Sequence, residues 1–148
     1  MLITTSRKPG QKTRTFAKIM AKFMNWEYVS RGKASIKDFE GKLALVGERN
    51  GNPNSLTIYT IGKQFILSFS IGEIRKLDMD QSPVIFVGNP PFNPTIMDAI
   101  PSDTRINFDS PKKVVVTKSD GWDLDFRYNK QSIFKLNLFK WDEERNES

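Results

Sequence analysis

The sequence predicts an α/β fold made of two similar halves within one domain, and three observations carry that expectation. An apolar strand, Leu2-Ile3-Thr4-Thr5, runs through a polar loop into a segment of helical periodicity. A second opening of the same strand–loop–helix–strand kind begins at Val84, after a polar, acidic stretch over 71–83 (Glu73, Asp78, Asp80) that reads as a connector. The remainder of each half consists of short alternating segments separated by turn residues, the pattern of paired strands. The first half is expected to span about 1–80 and the second about 81–148 of the 148 residues, although residue-level similarity between them is slight.

The elements follow in order. Phe16, Ile19, Met20 and Phe23 fall at i, i+3, i+4 and i+7, one stripe of a 3.6-residue period, with Thr13 placed to cap the helix. Arg14, Lys18 and Lys22 fall at i, i+4 and i+8 on the opposite face. Trp26 to Ser30 alternates and reads as a strand, completing a βαβ unit. Such a unit crosses over right-handedly, so the loops after both strands meet at the edge where open α/β sheets bind ligands. Ser35 to Lys42 is expected to form a short helix, Leu43 to Val46 a strand, and Gly47 to Asn54 a turn. Leu56 to Thr60 and Phe65 to Ser70 make a hairpin about Gly62-Lys63. The second half reads as a strand Val84 to Val87, a Pro-rich loop, a helical turn Thr95 to Ile100, and strands Arg105 to Phe108, Val114 to Thr117, Leu124 to Tyr128 and Ile133 to Phe139. The charged tail from Asp142 is expected to fray.

Composition narrows the function. There is no cysteine, so neither disulfides nor thiolate metal sites are available, and no histidine, which removes the usual general base and zinc ligand. A non-enzymatic protein without cofactor or metal is therefore expected. No apolar run approaches the ~18–20 residues that span a bilayer, and the opening lacks a signal-peptide layout, so a soluble chain without membrane or small-molecule partners is expected. The net charge of +6 is polarised: residues 1–50 balance to +7 and the rest to −1. Between Met1 and Asn25 stand six Lys or Arg and no acidic residue. Such a field steers a polyanion onto one surface, and RNA is the expected polyanion.

Gly10-Gln11-Lys12-Thr13 resembles the end of a phosphate-binding loop, but the first glycine is missing and Gln11 separates Gly10 from Lys12. A degenerate nucleotide-binding protein is therefore a weaker alternative. The helix start still offers N–H groups to a phosphate, with Ser6, Thr13 and Thr15 as hydroxyl donors. Arg7, Lys8, Lys12 and Arg14 are expected to grip phosphates there, Lys18 and Lys22 to extend the track, and Arg31, Lys33 and Arg49 to widen it, with Asn50 and Asn52 adding hydrogen bonds. Trp26, Tyr28, Trp122 and Tyr128 could stack on bases, but at strand spacing they read first as core. Asp120, Asp123 and Asp125 lack calcium-loop spacing and read as polar hairpin positions.

Two segments carry a family likeness: Leu2 to Pro9 through Arg14-Thr15-Phe16-Ala17-Lys18 and Tyr28-Val29-Ser30-Arg31-Gly32-Lys33, and then Gly47-Glu48-Arg49-Asn50-Gly51-Asn52-Pro53 leading to Leu56. Together they resemble the Brix domain of ribosome-biogenesis proteins, most clearly over the first 70 or so residues. The resemblance implies two α/β halves, each related to the anticodon-binding domain of class II aminoacyl-tRNA synthetases. It also implies a non-enzymatic role binding ribosomal RNA or its precursor during subunit assembly and rRNA processing, alongside other assembly proteins. Without the long extensions of eukaryotic nucleolar members the chain looks like the minimal archaeal form, for which a cytoplasmic address follows. A tRNA- or anticodon-arm-binding accessory domain is the alternative that the same fold and charge would support.

Overall fold

The computed structural model describes residues 1–39, 41–102 and 109–145. Strand β1 (Leu2–Thr5) leads into helix α1 (Gln11–Met24), which returns to the two-residue edge strand β2 (Glu27–Tyr28). Strands β3 (Leu43–Arg49), β4 (Asn52–Thr60) and β5 (Lys63–Ile71) complete the first part, and β6 (Val84–Val87), β7 (Lys112–Lys118), β8 (Trp122–Tyr128) and β9 (Gln131–Arg145) the second. All nine described strands form one sheet in the order β2-β1-β3-β4-β5-β9-β8-β7-β6. The sheet curls, helped by bulges at Gly47/Glu48, Ser68/Phe69 and Phe126/Arg127.

The same pairing sequence occurs twice. β1 runs parallel to β3, which is followed by antiparallel β4 and β5, while β6 runs parallel to β7, followed by antiparallel β8 and β9. Even the edge repeats: β2 lies parallel to β1, and Ile100 forms a parallel bridge to Ile85 of β6. Antiparallel β5 and β9 join the two sets.

A single helix packs across that junction. Phe16 meets Phe69 of β5 and Phe134 of β9, with ring centroids 5.7 and 5.2 Å apart, and Phe23 meets Phe126 of β8 at 5.3 Å. The periodic stripe read from the sequence is thus the centre of one core, and burial of each ring contributes about 2–3 kcal/mol. Among the described residues, the corresponding place of the second set holds a 3-10 turn, Pro94–Met97, which begins the stretch read as a helical turn over Thr95 to Ile100. Lys112, fully buried on β7, donates to the Lys22 carbonyl at 3.1 Å and to Asn25 Oδ1 at 2.8 Å, tying the C-terminus of α1 to the second set. Burial holds its ammonium below the usual lysine pKa, opposed by the Asp80 charge.

Several expectations require correction. Thr13 does not cap the helix: the N-cap is Gly10, and Thr13 is buried inside the first turn. The short helix expected over Ser35 to Lys42 is, among the described residues, a 3-10 helix confined to Ile36–Asp38 and closed by a Ser35–Asp38 capping box. The expected long turn over 47–54 shrinks to Asn50-Gly51, both at positive φ, because β3 and β4 extend into polar residues. The tail is paired rather than frayed as far as Arg145, with Glu143 and Asp142 opposite Phe65 and Ile66. The connector has no regular structure, yet Ile74, Leu77 and Met79 pack against the core. The strand expected at Arg105 to Phe108 lies outside the described residues.

Candidate nucleic-acid interface

Because β1, β2 and β3 are mutually parallel about β1, their carboxyl ends lie on one edge, and three basic loops leave from it. The β1–α1 loop supplies Arg7 and Lys8, the segment after β2 supplies Arg31 and Lys33, and the tip of the β3–β4 hairpin supplies Arg49, Asn50 and Asn52. Specific contacts bind the loops together. Arg31 donates Nε–H to the Ala34 carbonyl at 2.6 Å and Nη1–H to the Thr5 carbonyl at 3.2 Å, bridging the ends of β2 and β1. A Cβ built on Gly10 would touch Gly51 at 3.6 Å, so the first loop lies against the Asn50-Gly51 turn.

Glu48 seals this junction. Its carboxylate accepts the Gly10 N–H at 3.1–3.2 Å and the buried Thr13 hydroxyl. A carboxylate suits the positive end of α1, and it occupies the position the sequence assigned to a phosphate. Of the donors expected to hold a phosphate at the helix start, the Gly10 N–H and the Thr13 hydroxyl are therefore engaged from within the chain. Nothing local marks Glu48 as the partner, since it stands 38 residues from Gly10 and 35 from Thr13.

The cations themselves face solvent. Arg7, Lys8, Lys12, Arg14, Lys18, Lys22, Lys33 and Arg49 are exposed, as are Asn50 and Asn52, while Arg31 is half-buried by its backbone contacts. Among the described residues none of these nine Lys and Arg forms an ion pair, whereas Lys42, Lys63, Lys113, Arg127 and Lys140 do. Arg14, Lys18 and Lys22 form one ridge about 12 Å long on the outer face of α1, at about 1.5 Å per residue. Lys12 is not on that ridge; with Gln11 and Thr15 it borders the start of the connector at Gly72-Glu73-Ile74. Lys8 holds φ +53 at the loop tip. Asn52 spends its amide on the Asn50 carbonyl at 3.4 Å, so it shapes the turn.

The aromatics divide. Trp26 is core, whereas Tyr28 stays half-exposed, with the Lys18 ammonium 5.6 Å from its ring centroid. Trp122 and Tyr128 are half-exposed on β8, away from the ridge. Asp123 and Asp125 are paired within the β8–β9 hairpin, to Asn137 and to Arg127 and Ser132, as polar hairpin positions should be. No group of acidic residues among those described could hold a metal ion, and no described helix is long and apolar enough to cross a membrane.

This curled mixed sheet packed on a helix is similar in fold to a solved archaeal Imp4-like protein. The crystal structure of Mil, an archaeal Imp4-like protein, superposes with a TM-score of 0.79 at 27% identity, covering 96% of this chain and 98% of that one. A probable ribosomal biogenesis protein from Aeropyrum pernix shares the fold, with a TM-score of 0.63 at 20% identity, over 93% of this chain and 92% of that one. In sequence, a probable Brix domain-containing ribosomal biogenesis protein of Archaeoglobus fulgidus is 40% identical over 94% of this chain and 95% of its own length. One of the same description from Methanosarcina mazei is 30% identical over 93% of this chain and 96% of its own. The chain belongs to the Brix domain-containing ribosomal biogenesis proteins. No protein-family model matches it.

Proposed function

We propose that this protein acts in ribosome biogenesis by binding ribosomal RNA, or its precursor, across the edge formed by the ends of β1, β2 and β3 and along the outer ridge of α1. The observation that carries this reading is the set of nine cations, Arg7, Lys8, Lys12, Arg14, Lys18, Lys22, Arg31, Lys33 and Arg49, none of them ion-paired among the described residues. Unpaired, exposed charge of one sign is held against its own repulsion, and an incoming phosphate backbone relieves that repulsion. A role without catalysis fits a surface of lysine, arginine and amides. Each half would be a variant of the anticodon-binding α/β unit, with the first half keeping the charge.

Binding to structured ribosomal RNA is measured against salt. Contacts to about six phosphates give a log–log slope of roughly −4 to −5. Replacing Arg14, Lys18 and Lys22 together by Glu abolishes binding while the thermal unfolding curve stays close to the parent's, because the three side chains lie outside the core. Unchanged affinity in a folded triple variant refutes the interface. Competition by tRNA as effective as that by ribosomal RNA would point to the anticodon-arm alternative.

A further inference from the structure

At the C-terminal end of the ridge lies a cavity of about 500 Å³, lined by Lys18, Lys22 and Asn25 of the helix end, Tyr28 of β2, and Asp80 and Gln81 of the connector. Resting on the RNA-binding reading, we propose that this cavity receives an unpaired nucleobase bearing an exocyclic amino group, extruded from the RNA whose phosphates lie on Lys18 and Lys22. The convergence of Tyr28, Lys18 and Asp80 on one cavity is what points to it.

Four features fit that ligand. The cavity shares Lys18 and Lys22 with the phosphate ridge, so a strand following the ridge arrives at its mouth. Tyr28 packs against the core but stays half-exposed, and the Lys18 ammonium lies over its ring at 5.6 Å from the centroid. That weak contact is released when Lys18 turns to a phosphate, leaving the ring for a base. The Asp80 carboxylate, held below the usual carboxylate range by its hydrogen bonds to Ser82, stays ionised. It repels phosphate from the cavity and accepts from an amino group, as the Gln81 carbonyl can. Finally, Trp26, only 7% exposed, also borders the cavity, and its indole N–H is a buried donor without an acceptor among the described residues. The size suits a nucleotide rather than a duplex.

The test compares three stem–loop RNAs of equal length: fully paired, with one bulged adenine, and with one bulged uracil. The protein binds the bulged-adenine RNA about tenfold tighter than the paired one, within what a base–aromatic stack contributes on alanine substitution. Bulged uracil recovers little of that gain. Tyr28→Ala removes the preference for the bulge and leaves paired-stem affinity and its salt slope unchanged. Gln81→Ala, at an exposed position outside the core, weakens the preference several-fold and guards against misfolding of the Tyr28 variant. A 2-aminopurine bulge loses fluorescence on binding to the parent protein and keeps it with Tyr28→Ala. Equal affinity for bulged and paired RNA overturns the pocket and leaves the RNA interface standing. Absence of binding to any of the three overturns both. Adenosine monophosphate binding as tightly as the bulged RNA overturns the RNA-linked reading in favour of a mononucleotide site.

Discussion

Removing the Glu48 carboxylate should destabilise the fold and tighten RNA binding at the same time. In Glu48→Ala the Gly10 N–H and the Thr13 hydroxyl both lose their acceptor. Loss of a capping acceptor costs about 0.5–2 kcal/mol. Leaving the fully buried Thr13 hydroxyl unpaired adds about 1–3 kcal/mol. Part of these overlaps, so the expected loss is about 3 kcal/mol, and at about 2–4 °C per kcal/mol in a domain of this size the Tm falls by roughly 6–12 °C. Glu48→Gln keeps an acceptor and loses the charge favourable to the helix dipole, at a cost of about 1 kcal/mol. Both variants remove the acid that lies against the helix start, next in sequence to Arg49. At a distance of about 9 Å in a mostly aqueous medium that charge opposes a phosphate by about 0.6 kcal/mol, so RNA binds about threefold tighter at low salt and the gain fades at high salt. Differential scanning calorimetry and a binding titration on the same samples read both effects. Glu48→Ala melting with the parent would remove the seal. Weaker RNA binding by a folded Glu48→Gln would show that the carboxylate itself contacts the RNA.

Other perturbations are equally specific. Gly121→Ala places a Cβ 2.3 Å from the Leu138 carbonyl oxygen, so β8 and β9 must part and stability falls by about 3 kcal/mol or more in urea unfolding. Gly51→Ala meets nothing within 4 Å, but the position holds φ +78, so it costs only about 1–2 kcal/mol; equal losses for the two would contradict the geometry. Lys112→Met tests the buried ammonium by calorimetry at several pH values. Its folded pKa is lowered from the ordinary 10.5, so the unfolded chain binds the proton more tightly. The parent therefore gains stability relative to the variant as pH rises through the folded pKa towards 10.5, and a difference that stays constant as pH is raised to 10.5 would refute the assignment. Arg31→Ala loses the hydrogen bonds to the Ala34 and Thr5 carbonyls, lowering stability by about 1 kcal/mol and the salt slope of RNA binding by about one; an unchanged slope would confine Arg31 to a structural role.

Both demands on this surface are met by dividing labour. Residues that hold the three loops together, Glu48 and Arg31, spend their polar groups on backbone and on Thr13. Those that face outwards, Arg14, Lys18 and Lys22, form no ion pair among the described residues and sit on the helix whose other face is the centre of the core. Rigid seating of the ridge follows from Phe16 and Phe23 packing on strands of both sets.

Much of this was legible in the chain alone. Helical periodicity placed Phe16, Ile19, Met20 and Phe23 inward and Arg14, Lys18 and Lys22 outward, since both sets follow one local period. The strand openings at Leu2 and Val84 and the polarised charge were equally local signals, and the likeness of two short segments to a known family supplied the ribosomal context. What the sequence could not determine depends on groups far apart along it. Glu48 reaches the start of α1 across 38 residues and takes two donors that looked open to phosphate, the Gly10 N–H and the Thr13 hydroxyl. Asp142 to Arg145 look like a solvated tail until β5 offers backbone partners from Lys63 to Ile66 and the Lys63–Glu143 ion pair at 3.2 Å. Lys12, four residues before Phe16, turns toward a connector that begins sixty residues later. The cavity beside Tyr28 exists only because that connector, polar by composition, is pinned by Ile74, Leu77 and Met79 alongside the helix. Composition and period set which face carries charge because they act within a few residues; tertiary packing decided which of those charges and polar groups remained free to meet a ligand.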